Sequence, residues 1–140
     1  WSSDGNFIAF RYCENESCEP KLFLVDMSGD KKPKSVSETG YGVRFFSWSP
    51  DGKDIAYITA KENPPAYKND FYPDIPLGPG SIWIYNDAKK ISRKVTEQEY
   101  PRLSSFTWSP DSKNLLFFAL PPETENEFRS LSEVFLIKAD

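Results

Sequence analysis

An all-β chain assembled from repeated four-strand units is what this 140-residue sequence predicts, and three observations predict it. A short phrase occurs three times: WSSDG from Trp1, WSPDG from Trp48 and WSPDS from Trp108. Each copy leads, after two variable residues, into an apolar run, and a second run follows further on. Aromatics make up 16% of the chain and prolines 12 residues; no stretch carries sustained helical periodicity with caps, and 125–131 could form a single helical turn at most.

The spacing turns these observations into an architecture. The Trp-to-Trp intervals are 47 and 60 residues, too unequal at first sight for a repeat. The second apolar runs are KLFLVD at 21–26, SIWIYN at 81–86 and EVFLIK at 133–138. From the central aromatic of such a run to the next Trp is 25 residues both times, Phe23 to Trp48 and Trp83 to Trp108. From each Trp forward to that aromatic is 22, 35 and 27 residues, so one connection absorbs the whole difference between the intervals. A rigid unit of about 45 residues with four short strands is the blade of a β-propeller.

With strands lettered A to D, blade one (1–41, incomplete) supplies B around Ile8, Ala9 and Phe10, C at 21–26 and D near 34–37. Blade two (42–100) supplies A at 42–48, B at 54–60, C at 81–86 and D at 92–96. Blade three (101–140, incomplete) supplies A, a B strand at Leu115, Leu116 and Phe117, and C at 133–138. The prediction is a propeller fragment of about two and a half four-stranded antiparallel blades. A propeller closes with typically four to eight blades, so the expected partners include the remaining blades of a parent propeller, or self-association that covers the open edges. Under period-two alternation Phe46 and Trp48 share a face, as do Phe106 and Trp108. Ser49, Pro50, Asp51 and Gly52 read as a type I turn, since Pro presets φ at its second position and Gly accepts the exit geometry. Trp1, Trp48 and Trp108 then mark packing positions, and Asp4, Asp51 and Asp111 mark turn positions rather than a carboxylate constellation.

The stretch WSPDGKDIAYITA at 48–60, followed by SIWIYN, resembles the TolB-type propeller repeat, which also occurs in the propeller domains of prolyl oligopeptidase and dipeptidyl peptidase proteins. The resemblance covers nearly the whole chain through its three copies, with Ser3 standing for Pro in the first and Ser112 for Gly in the third. It implies one of two functions. One is a non-enzymatic scaffold of the TolB kind, a periplasmic component that binds other proteins; the other is a propeller that gates access to a separate serine-peptidase domain.

Within this segment the residue inventory excludes most enzyme chemistry. There is no His, which removes Ser/His/Asp and Cys/His arrangements and any His-based metal site. No GxSxG elbow and no glycine-rich phosphate loop occurs, so the segment is expected to be non-catalytic, with no cofactor and no metal site. Propeller lyases with related repeats are disfavoured because they look to His for metal ligation. A net charge of −4 argues against nucleic acid, which calls for a clustered basic face. No apolar run approaches the length of a membrane span. The chain opens on Trp1 rather than Met, which suggests that an upstream segment has been removed. A periplasmic or extracellular location is expected, with the cytoplasm still open.

The BC connections at 13–20, 61–80 and 121–132 should emerge together on the face opposite the WSPDG turns. Their summed charge is −6 against −4 for the whole chain. That concentration predicts an acidic face for a cationic partner: a basic protein patch, a peptide amino terminus or a divalent cation. Its candidates are Glu14, Glu16 and Glu19, then Asp70 and Asp74, then Glu123, Glu125 and Glu127; the competing reading is plain loop solvation. Dipeptidyl peptidases hold a substrate amino terminus with a Glu pair in a propeller insert, but the ETENE run spaces its carboxylates by two, so that role is not carried over. The longest insert holds five prolines and the aromatics Tyr67, Phe71 and Tyr72. It either packs back over a neighbouring blade or forms a lid that binds a partner. Cys13 and Cys18 lie inside the first loop, where a disulfide and free thiols are both open and a metal site lacks further ligands.

Overall fold

The computed structural model describes residues 1–15, 18–37, 40–60, 79–121 and 132–139, and among these every regular element is a strand. β1 (Phe7–Tyr12), β2 (Lys21–Asp26) and β3 (Lys34–Ser35) form one antiparallel sheet. β4 (Gly42–Trp48), β5 (Asp54–Ala60), β6 (Gly80–Asn86) and β7 (Ile91–Lys94) form a four-stranded second sheet. β8 (Ser105–Trp108), β9 (Asn114–Ala119) and β10 (Glu133–Lys138) form the third. In each, neighbours in sequence are neighbours in space, the order that consecutive strands usually take whatever the length of the connection between them.

Period-two alternation assigns the faces, and the registers show it. β5 pairs with β6 from Asp54↔Asn86 to Ala60↔Gly80, so Ile55, Tyr57, Trp83 and Tyr85 lie on one face and Ala56, Ile58, Ile82 and Ile84 on the other. The first set packs with Leu22, Leu24 and Ala9 of the first sheet. The second packs with Phe106, Trp108, Leu115, Phe117 and Ala119 of the third. The second sheet is therefore apolar on both faces, and six of the seven β5 residues are buried.

One strand breaks the alternation. Between Val43↔Thr59 and Phe45↔Ile58 the register shifts, so Arg44 is the extra residue of a β-bulge. The bulge returns Phe46 and Trp48 to the face that Val43 shares, against the first sheet. It sends Phe45 the other way, where it meets Phe106 edge-on at 5.1 Å.

Both D strands are shorter than expected, and for one reason. β3 stops at Ser35 rather than position 37, and β7 stops at Lys94 rather than 96. In each, one more main-chain bond forms, from Val36 N–H to the Leu22 carbonyl (2.9 Å) and from Val95 N–H to the Ile82 carbonyl (2.8 Å). A hydroxyl then replaces the main chain as acceptor: Leu22 N–H donates to Ser37 Oγ (3.1 Å) and Ile82 N–H to Thr96 Oγ1 (3.2 Å). The side chain satisfies the last inner donor, so the ladder has no need to continue.

Candidate functional site

The strands display two opposite ends, one carrying the repeated turns and the other the BC loops. At the turn end the three copies have the same hydrogen-bond pattern. The Gly52 N–H donates to the Ser49 carbonyl at 2.9 Å, which closes the expected turn. The Ser49 hydroxyl donates to Asp51 Oδ1 (2.7 Å) and accepts from the Asp54 N–H (3.0 Å), while the Lys53 N–H donates to Asp51 Oδ1 (3.2 Å). Ser2 with Asp4, and Ser109 with Asp111, repeat the pattern with both hydroxyl-to-carboxylate bonds at 2.6 Å. The serine hydroxyl is the first cause, ahead of the backbone N–H bonds, that holds Asp4, Asp51 and Asp111 below the ordinary 3.8. These carboxylates are committed to their own turns. The sequence marks the Trp and the Asp of the phrase and gives Ser49 a place in its turn, but not the hydroxyl bonds of Ser2, Ser49 and Ser109, whose signal is their presence in every copy.

The two departures from the repeat both face the middle turn. Ser3, in the place of Pro, lies against Gly52, whose φ is +74°. Ser112, in the place of Gly, holds φ at +62°, and its Oγ accepts the Asp51 N–H at 3.1 Å. A side chain in the left-handed region carries a strain cost, offset here by a bond that glycine lacks.

At the loop end the first BC connection is the described one. Cys13 and Cys18 are joined, with Cα atoms 5.7 Å apart, which answers the question that the spacing left open. Next to this ring, the Pro20 carbonyl accepts the Val43 N–H at 2.7 Å, and Glu19 lies close against Gly42, where a Cβ would collide with its carboxylate. Glu19 also meets Arg44 of the bulge at 3.5 Å as a charge pair, although Glu19 Oε2 and Arg44 Nε are left without hydrogen bonds. With the Arg44 side chain 23% and the Glu19 side chain 40% exposed, such a pair contributes little, about 0–1 kcal/mol. The candidate carboxylates of this loop thus divide: Glu14 is exposed, whereas Glu19 is half-buried and turned toward the second sheet. Glu16, Tyr67, Asp70, Phe71, Tyr72, Asp74, Glu123, Glu125 and Glu127 lie outside the described residues. Among the described residues no His, Cys, Asp and Glu cluster suited to a metal occurs, and no helix is long and apolar enough to cross a membrane.

Arg11 is the loop-end residue that sequence reasoning missed. Its guanidinium donates to the Val43 carbonyl at 3.2 Å and to the Arg44 carbonyl, the two oxygens that the bulge exposes. No sequence signal marks it, because the need arises only once two sheets meet.

Solved structures share this arrangement. The propeller domain of the trilobed protease from Pyrococcus furiosus superposes with a TM-score of 0.64 at 20% identity, over 96% of this chain and 38% of that one. TolB from Acinetobacter baumannii gives 0.59 at 19% identity, over 94% of this chain and 27% of that one. The sheets are propeller blades. An acylaminoacyl peptidase from Pyrococcus horikoshii gives 0.64 at 17% identity, with this propeller segment covering 22% of it. Among curated proteins, a dipeptidyl-peptidase 5 from Porphyromonas gingivalis is 31% identical over 84 residues, 56% of this chain and 10% of the relative. No protein-family model matches the chain. The chain thus spans a tenth of its curated relative and between 22% and 38% of these solved structures.

Proposed function

We propose that this segment is the propeller portion of a serine peptidase of the dipeptidyl-peptidase kind, a non-catalytic part that frames substrate access. One observation carries the reading: the 84-residue stretch that is 31% identical to a dipeptidyl-peptidase 5, an identity above the 16–20% of the solved propellers. The residue inventory agrees with it, since a chain without His and without a GxSxG elbow has binding and gating to contribute rather than chemistry. Within this reading the acidic BC face, with Glu14 at its described part, attracts the cationic amino terminus of a peptide substrate. The Cys13–Cys18 bond suits an extracellular or periplasmic setting.

The test is the full coding region and its product. A GxSxG elbow with later Asp and His in the remainder of the protein, and peptidase activity of that full chain abolished at the elbow serine, is the expected result. A full protein without these, active only in binding other proteins, moves the assignment to a scaffold of the TolB kind, which the TM-score of 0.59 to TolB keeps in view. In the full peptidase, Glu14→Lys raises KM for substrates with a free amino terminus and leaves kcat and amino-terminally blocked substrates unaffected. An equal effect on both substrate types removes the acidic face from the reading.

A further inference from the structure

β4 is the edge strand of the second sheet, and no strand among the described residues pairs with its outer side. A buried donor or acceptor on such an edge still needs a partner. Blade one supplies both partners at Val43, which is fully buried. The Val43 N–H donates to the Pro20 carbonyl at 2.7 Å, and the Val43 carbonyl accepts from the Arg11 guanidinium at 3.2 Å. One residue of the bulged strand is thus held from both arms of the β1–β2 hairpin.

The two holds are anchored differently. Arg11 lies inside the β1–β2 ladder, paired with Leu22. That ladder ends at Tyr12↔Lys21, so Glu19 and Pro20 lie beyond it. Here the approach to β4 is close: a Cβ on Gly42 would stand 2.9 Å from Pro20 Cδ, and Glu19 meets Arg44 at 3.5 Å. What ties this stretch back to the hairpin is the Cys13–Cys18 bond, which closes just outside the last ladder pair. The bond joins residues only five apart in sequence, so it restrains the unfolded chain less than a long loop would, and its main effect is local. Both cysteines are half-buried, and Glu14 and Asn15 between them are exposed, so a thiol reductant can reach the bond.

We propose that the Cys13–Cys18 bond is a redox-sensitive clasp. Closed, it keeps Pro20 on the Val43 amide and Glu19 beside Arg44; opened, it releases that hold, while Arg11 keeps its own through the ladder. The agent that opens it is a dithiol. One thiolate of the dithiol attacks a cysteine sulfur to give a mixed disulfide, and the second thiolate then displaces the protein. The protein gains two electrons and two protons and leaves with two thiols, and the dithiol leaves as a disulfide. The loosening is confined to the loop end of the seam between blades one and two. The proposal goes beyond the peptidase assignment and stands whether or not that assignment holds.

Backbone hydrogen exchange of the full-length protein that contains this chain tests it, in the oxidised form and after reduction with dithiothreitol. The Val43 amide is expected to exchange about five- to tenfold faster in the reduced form, the equivalent of one lost hydrogen bond. The Val95 amide, bonded to the Ile82 carbonyl at 2.8 Å, is expected to keep its rate. A double variant, Cys13→Ser with Cys18→Ser, is expected to exchange at Val43 as the reduced protein does and to ignore dithiothreitol, which separates this bond from any other disulfide. Should the double variant not fold, the return of slow exchange when the wild type is re-oxidised takes its place, and an absence of that return counts against the clasp. Equal Val43 rates in the oxidised and reduced forms overturn the proposal. So does an equal acceleration at Val95, or a double variant whose Val43 amide still responds to dithiothreitol.

Discussion

The two interfaces between blades bury the same repeat positions, yet polar groups join them in different ways. Between blades two and three the Trp108 indole N–H donates to the Ser47 carbonyl at 3.2 Å, and Arg93 donates to the Ala139 carbonyl. Between blades one and two the counterpart indole, Trp48 Nε1, is buried with no acceptor. There the polar links come from Arg11 to the bulge carbonyls, from Ser92 Oγ to the Val36 carbonyl (2.7 Å) and from the Val43 N–H to Pro20. Apolar periodicity decides where blades meet. The neighbours that each blade has decide which polar groups are satisfied, which is why the Trp108 indole is bonded and the Trp48 indole is not in two copies of one phrase.

The largest break in this comparison comes from the aromatic centre of the second interface. Phe117 is fully buried, stacks on Phe135 at 5.1 Å and meets Tyr100 edge-on at 5.1 Å. Phe117→Ala leaves a cavity among residues of both blades and is expected to cost about 3–5 kcal/mol in denaturant-induced unfolding. The exposed Leu136→Ala serves as the reference in the same assay. Equal losses would mean that this interface does not hold the two blades together.

A sharper comparison uses the indoles themselves. Trp108→Phe removes the indole's hydrogen bond to the Ser47 carbonyl, while Trp48→Phe removes a donor that is already unpaired. The shape change is the same, so Trp108→Phe should be the more costly by about 1 kcal/mol. Equilibrium unfolding of both variants measures this directly, and equal losses would show that the Trp108–Ser47 bond contributes nothing.

The sequence made the fold legible because a fixed interval of 25 residues and period-two apolar runs are properties of single strands and turns, which do not depend on neighbours. Strand order and the Ser49–Gly52 turn followed from them. The D strands ended early where Ser37 and Thr96 hydroxyls substituted for main-chain acceptors, a choice that propensity does not register. The bulge at Arg44 was equally silent, since it shows only when Val43 and Phe46, three apart, turn out to share a face. At the loop end Glu14 and Glu19 looked alike as carboxylates. Only the approach of blade two separated them, by placing Arg44 beside Glu19.

Ser112 offers a smaller test, on the turn that links blades two and three. Ser112→Ala keeps the positive φ and loses the acceptor for Asp51 N–H, for an expected loss of about 1 kcal/mol. Ser112→Gly loses the same bond but relieves backbone strain of roughly similar size, so its unfolding midpoint should stay close to that of the wild type. If Ser112→Gly falls as far as Ser112→Ala, φ at this position carries no strain, and the hydrogen bond alone explains the residue.

The smallest effect concerns the Ser–Asp turns, which both interfaces share. Asp4, Asp51 and Asp111 are held below 3.8 by the serine hydroxyls first, and Asp26 by Ser28 in the same way. A carboxylate whose folded value is depressed adds stability that is fully present above its unfolded value and lost as pH falls through the folded one. Unfolding midpoints should therefore hold steady above 3.8 and decline below it. Ser109→Ala removes the leading cause at Asp111, so its folded value moves back toward 3.8 and its share of the acid decline shrinks. The gap between this variant and the wild type should then narrow as pH drops below 3.8, since protonation of Asp111 weakens in the wild type the bond that the variant already lacks. A gap that stays constant through that range would assign the serine a packing role, with its hydrogen bond to the carboxylate incidental.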